Sequence, residues 1–191
     1  MNETSISAKP KTIFTVKQLA IVGLMTAIIC VLAPLALPIP FSPVQISLGT
    51  LAIYFVLTVL GLKLGTISVV IYILLGLAGL PVFASFKSGP GTLFGPTGGY
   101  IIGYIFMALI CGVFIDKWGD KLLLCFLGMI LGTAALYVFG SFWLAFELSY
   151  TLPQAFMAGA IPYIPGDLIK LVIAVILGRQ LRKRLQKGGL V

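Results

Sequence analysis

Six long apolar runs, separated by stretches rich in Gly, Pro, Ser and Thr, leave this chain few folds to choose from. Hydrocarbon offers no partner for backbone N–H and C=O groups, so a chain embedded in it must close its own hydrogen bonds as helices or as a sealed barrel. The runs are continuous rather than alternating with period two, which argues against a barrel. A helix of about 20 residues, rising 1.5 Å per residue, crosses a hydrocarbon core of about 30 Å. On that measure the spans are Val16 to Leu35, Ile46 to Leu62, Leu64 to Leu80, Gly99 to Ile115, Leu122 to Phe146 and Pro162 to Leu177. Only 9% of the 191 residues are charged, against about 25% in a soluble domain. The expectation is an all-α, multi-pass integral membrane bundle of six transmembrane helices, one domain over residues 1–191.

Orientation follows from the basic residues. Lys9, Lys11 and Lys17 precede the first span, Lys63 lies between the second and third, and Lys117 and Lys121 between the fourth and fifth. Arg179, Arg182, Lys183, Arg184 and Lys187 follow the sixth, so every lysine and arginine except Lys87 and Lys170 falls on one side. Positive loops face the cytoplasm. Both termini are therefore expected there, with residues 1–12 a cytoplasmic segment and 179–191 a basic cytoplasmic tail. This distribution turns the net charge of +8 toward anionic lipid and away from nucleic acid. The first span is too long for a signal peptide, and Ala33-Pro34 breaks the small-residue cleavage pattern, so it is expected to stay. Lys63 alone joins the second and third spans, which must form a tight hairpin.

The composition also excludes chemistry. There is no histidine, which removes His-assisted nucleophiles and His-containing metal sites. Cys30, Cys111 and Cys125 lie in apolar runs without metal-ligand spacing and are expected to pack in the core. No glycine-rich loop ends in Lys-Ser or Lys-Thr, so any ATP is spent on another chain. An intramembrane enzyme would need an acid–base couple that is absent here. No metal or cofactor is expected.

One pair breaks the apolar pattern. Asp167 and Lys170 lie three apart between Ala160 and Leu177, on one helical face. A charge in hydrocarbon costs at least about 2.5 to 3.5 kcal/mol on insertion scales, so such a pair marks a functional site, each residue being the other's partner. Pro162 and Pro165 suit the first turn of a helix, which puts Asp167 near its positive end. Asp167 then either caps the helix beside a snorkelling Lys170, or accepts N–H donors from a polar ligand. In the second case a carboxylate can take two parallel donors, as a urea or amide ring offers. Lys170 would pair with Asp167 or touch the ligand directly.

Three longer loops, Ala36 to Gln45, Pro81 to Thr97 and Glu147 to Ala160, fall on the side opposite the basic residues, above this pair. Phe83, Phe86, Phe94 and Phe156 favour loops that cover something. In Gly95-Pro96-Thr97-Gly98-Gly99-Tyr100-Ile101-Ile102-Gly103-Tyr104 the glycines allow close backbone approach to a helix or to a ligand. Gly23 and Ala27, like Gly61 and Gly65 or Gly128 and Gly132, are spaced four apart, as helices that pack closely require.

Gly76-Leu77-Ala78-Gly79-Leu80-Pro81-Val82-Phe83-Ala84, Gly95-Pro96-Thr97-Gly98-Gly99-Tyr100 and Pro165-Gly166-Asp167-Leu168-Ile169-Lys170 together resemble the BioY family, the biotin-specific substrate-binding subunits (S components) of energy-coupling-factor (ECF) vitamin transporters. The resemblance implies a six-helix bundle in a prokaryotic plasma membrane that takes biotin from outside, beneath its outer loops. The partners it implies are a membrane coupling subunit and two ATPase subunits. It also implies that Asp167 and Lys170 line the polar part of the pocket, with Gly98 and Tyr100 close to the ligand, and that Gly23 and Ala27 face the coupling subunit. Ser85, Tyr163, Gln45 and Ser47 complete the candidate contacts. Entering the second span, this chain has Gln45 and Gly49 where the family carries a proline and a glutamine; Gln45 or Ser47 is the substitute donor. The competing reading is a stand-alone ion-coupled transporter, which would need more intramembrane titratable groups than one carboxylate.

Overall fold

A computed structural model describes residues 14–40 and 42–189; the expected N-terminal segment 1–12, with Lys9 and Lys11, lies outside them. Helix α1 (Val16–Leu32) opens on a capping box, Thr15 Oγ1 accepting from the Gln18 N–H and Gln18 Oε1 from the Thr15 N–H. A two-stranded antiparallel hairpin follows, β1 (Ala36–Ile39) and β2 (Ser42–Ser47). Next come α2 (Gly49–Leu77), a 3-10 turn at Ala84–Phe86, α3 (Pro90–Leu93), α4 (Gly98–Trp118), α5 (Leu122–Leu148), α6 (Leu152–Gly159), a 3-10 turn at Ile161–Tyr163, and α7 (Ile164–Lys187).

Helix α2 is two helices folded back on each other. Gly61 has φ 75° and ψ −160°, a conformation open to glycine and strained for any other residue. A Cβ on Gly65 would lie 3.4 Å from Cα of Leu57, whereas residues eight apart in a straight helix are separated by about 12 Å. The expected hairpin is present, with its reversal at Gly61 rather than Lys63. The turn is tied down from outside: Asp116 Oδ2 accepts from the Leu62 N–H at 3.0 Å, and Arg182 Nη2 donates to Asp116 Oδ1 at 2.9 Å. The six helices of the bundle are thus α1, the arms 49–60 and 62–77, α4, α5 and α7. Among the described residues, four helical stretches are long and apolar enough to cross a membrane: Gly49–Leu77, Gly98–Trp118, Leu122–Leu148 and Leu152–Lys187.

Two boundaries differ from expectation. Ala36 to Gln45, read as loop, enters the β-hairpin, so Ile46 and Ser47 are strand and α2 begins at Gly49. Pro38 and Pro43 masked the strands; each has only one neighbour, and an edge tolerates proline. The expected basic tail from Arg179 is helical to Lys187, because Arg, Lys, Leu and Gln are good helix formers and cations favour a helix C-terminus.

The arms of α2 form the centre, with α1, α4 and α7 packed around them. Gly128 and Gly132 let α5 close onto Phe114 and Cys111 of α4, so that pair serves internal packing. The β-hairpin, the 78–97 segment and α6 meet at one end: Ser85 Oγ donates to Gln45 Oε1 at 2.7 Å, and Ser42 Oγ to the Ala158 carbonyl at 2.7 Å. The opposite end gathers Lys63 over the Phe14 ring, Asp116 with Arg182, and Arg179 with the Asp120 carbonyl.

Candidate functional site

Asp167 stands in the first turn of α7 behind Pro165, and its side chain turns inward rather than capping the helix, whose N-cap has no side-chain bond. It is 5% exposed. Oδ1 accepts from Lys170 Nζ at 2.9 Å and Thr50 Oγ1 at 3.0 Å, and Oδ2 from Tyr137 OH at 2.7 Å. Lys170 Nζ donates also to the Ser47 carbonyl at 2.7 Å and to Thr50 Oγ1 at 3.1 Å. An ammonium has three donors, so Lys170 is fully engaged by the protein. A carboxylate offers about four acceptor positions; three are taken, and the opening left is on Oδ2. The site therefore accepts one ligand N–H as it stands, and two only if Tyr137 yields its place.

The pair lines one chamber, and a second lies beside it. Thr50, Leu136, Tyr137, Gly159, Tyr163, Asp167 and Lys170 line the inner one. The other lies under the 78–97 segment, against Tyr72, Phe83, Lys87, Thr92, Thr97 and Ile101. Val44, Gln45, Ser47, Tyr100 and Tyr104 border both, so the two chambers lie side by side. Volumes of about 50 and 60 Å³ fall far below the roughly 300 Å³ or more of an open ligand pocket. The covering segments must part for a ligand to enter. Ser85 and Phe86, at φ 56° and 58°, hold left-handed backbone that costs non-glycine residues about 1–3 kcal/mol each and clusters where segments move. Ser85 is latched to Gln45 and, through its N–H, to the Pro34 carbonyl at 3.0 Å.

The other candidates fall as follows. Tyr100 is buried on the shared wall, its ring fitted against Gly140 and its hydroxyl against Gly159, 3.3 Å from Ser141 Oγ; a side chain on either glycine would expel it. Tyr163 lines the inner chamber with its hydroxyl 2.6 Å from the Val44 carbonyl, pinning β2 to the turn that leads into α7. Ser47 spends its hydroxyl on the Ala33 carbonyl and contributes its own carbonyl to Lys170. Gln45 faces both chambers. Gly98 is pressed against the Leu93 carbonyl, outside both linings, and Gly49 packs against Ala33. Of the four aromatics expected to cover the site, Phe83 is buried with its ring edge-on to Tyr72, Phe156 is half-buried, and Phe86 and Phe94 point outward. Gly23 and Ala27 lie exposed on α1.

Thr50, Tyr137 and Tyr104 went unnoticed in the sequence. Tyr104 had a signal, being one helical turn beyond Tyr100 on the same face. Thr50 and Tyr137 had none, since their partner lies 117 and 30 positions away.

The chain that carries this buried acid and amine is similar to proteins of known kind. The BioY family model matches residues 4–187. The "Biotin transporter BioY" of Thermotoga maritima is 38% identical over 167 residues, 87% of this chain and 96% of that protein. "Biotin transporter BioY2" of Lactococcus lactis is 35% identical over 167 residues, covering 87% and 91%. The crystal structure of the S component for biotin from an ECF-type ABC transporter superposes with a TM-score of 0.82 at 34% identity, over 88% of this chain and 92% of that one. With nearly its whole length matched in sequence and in fold, this chain belongs to the BioY family.

Proposed function

We propose that this protein is the biotin-capturing S component of an ECF-type uptake transporter, a multi-pass membrane protein and not an enzyme. One observation carries the site assignment: Asp167, nearly buried and already fixed by Lys170, Thr50 and Tyr137, lines the inner chamber with one acceptor position unspent. A ureido N–H fills that position. An analogue without the N–H leaves a desolvated carboxylate unpaired, and such sites discriminate strongly.

The two adjacent chambers orient the ligand. With the ureido ring against Asp167, the acyl chain runs along Tyr100, Tyr104 and Ile101, and its carboxylate emerges beneath the lid beside Lys87, the one basic residue lining the outer chamber. Lys170 cannot serve that carboxylate, because all three of its donors are committed. The Pro81 to Thr97 segment acts as the lid, released when Ser85 lets go of Gln45. Biotin enters from outside, with both termini cytoplasmic as the basic residues imply. The exposed Gly23 and Ala27 strip of α1 docks on a membrane coupling subunit, and two ATPase subunits supply the energy this chain has no loop to harvest.

Biotin titrated into purified protein should bind one to one, with affinity lost in Asp167→Asn. Blocking the ligand carboxylate as its methyl ester should weaken binding to the wild type but not further to Lys87→Gln. Undiminished affinity in Asp167→Asn would remove the site assignment; an ester penalty that persists in Lys87→Gln would remove the orientation. Limited proteolysis of the 81–97 segment should slow when biotin is bound.

A further inference from the structure

A second cavity, of about 240 Å³, lies at the basic end of the bundle, where α4 turns into α5 beside the last turns of α7. Lys117, Lys121, Arg179, Arg182 and Lys183 line it against Asp116 and Asp120. The acids do not neutralise this surplus. Asp116 is paired with Arg182, and Arg179 reaches the backbone carbonyl of Asp120 rather than its carboxylate. Lys121 and Lys183 form no salt bridge or side-chain hydrogen bond among the described residues. A recess walled by unneutralised cations concentrates an anion.

What flanks the cavity selects the anion. Leu122 and Leu123 at the start of α5 are exposed, Leu123 at 79%, and so are Val172 and Ile176, which helical spacing puts on the cavity side of α7. The Phe114 and Trp118 rings pack 5.1 Å apart beside the opening, and tryptophan favours the membrane–water boundary. Charge at the mouth of an apolar surface is the pattern of a lipid with a charged head and hydrocarbon tails, and basic pockets at the ends of membrane helices bind such heads. We infer that this cavity holds the phosphate of an anionic phospholipid, with its acyl chains lying against α5 and α7. The inference is independent of the transport reading, since the cavity shares no residue with the chambers around Asp167.

The test compares thermal unfolding of the full chain in uncharged detergent with added short-chain phosphatidylglycerol, phosphatidylcholine or inorganic phosphate, for the wild type and a Lys121→Gln, Lys183→Gln double variant. Phosphatidylglycerol should raise the wild-type Tm by several degrees more than phosphatidylcholine, and the double variant should lose that difference while keeping its lipid-free Tm. Equal shifts from the two lipids, or a preference that survives in the variant, would overturn the site. Inorganic phosphate reproducing the shift at the same concentration would overturn the lipid as occupant. A second readout does not depend on the lysine variant folding: in a Trp143→Phe background, brominated phosphatidylglycerol should quench Trp118 fluorescence more than brominated phosphatidylcholine, and equal quenching would also overturn the proposal.

Discussion

The Asp167–Lys170 and Asp116–Arg182 pairs share an N–O distance of 2.9 Å but not an environment. In the first pair the acid and base side chains are 7% and 13% exposed; in the second they are 44% and 19% exposed. The buried pair is braced by two hydroxyls and a backbone carbonyl, leaves one acceptor position unspent, and lines a chamber. The other faces water and closes the turn at Gly61. Distance alone therefore does not make an ion pair a binding site; burial, and the number of acceptors and donors already spent, decide what remains for a ligand.

Substitutions at the two ends put that contrast at risk. The largest effect is expected from Asp167→Asn, which keeps the shape and strands Lys170. Removing one partner of a buried pair costs about 3–5 kcal/mol of stability, so Tm should fall; the ligand also loses a hydrogen bond to a charged acceptor, worth about 1.5–3 kcal/mol, so biotin affinity should fall by about ten- to a hundredfold, at about 1.4 kcal/mol per decade. Next is Tyr137→Phe. A hydrogen bond to a charged group is worth about 1.5–3 kcal/mol, and losing the donor that aims Oδ2 should weaken affinity about tenfold; unchanged affinity would mean the ligand does not use that oxygen. Arg182→Gln should cost no more than about 1 kcal/mol of stability, the range for exposed pairs, with less effect in high salt and biotin affinity unaltered. A loss of affinity there would couple the two ends and dissolve the comparison. Smallest is Lys87→Gln, an exposed rim charge: a few-fold loss in low salt that vanishes near 1 M, where the Debye length is about 3 Å.

How much of this was legible depended on the range of the interaction. The six helices, the hairpin between the second and third, and an acid–amine pair on one helical face could be read locally, from apolar length, from a single residue between two runs, and from a spacing of three. Competing local signals hid the β-hairpin, because Pro38 and Pro43 read as loop until their edge positions are known. The aromatics expected over the site divided, Phe83 inward and Phe86 outward, since the left-handed turn at Ser85 and Phe86 is set by contacts with Gln45 and Pro34 rather than by those residues themselves.

Composition and short-range pattern alone determined that this chain is a helical membrane bundle with one charged pair to account for, because hydrocarbon penalises unpaired polar groups wherever the rest of the fold lies. Only the tertiary structure decided what the pair can accept. Thr50 and Tyr137 reach Asp167 from other helices, and the Ser47 carbonyl takes the last donor of Lys170. The acceptor position left for a ligand is set by geometry among residues distant in the chain, and no local pattern carries that information.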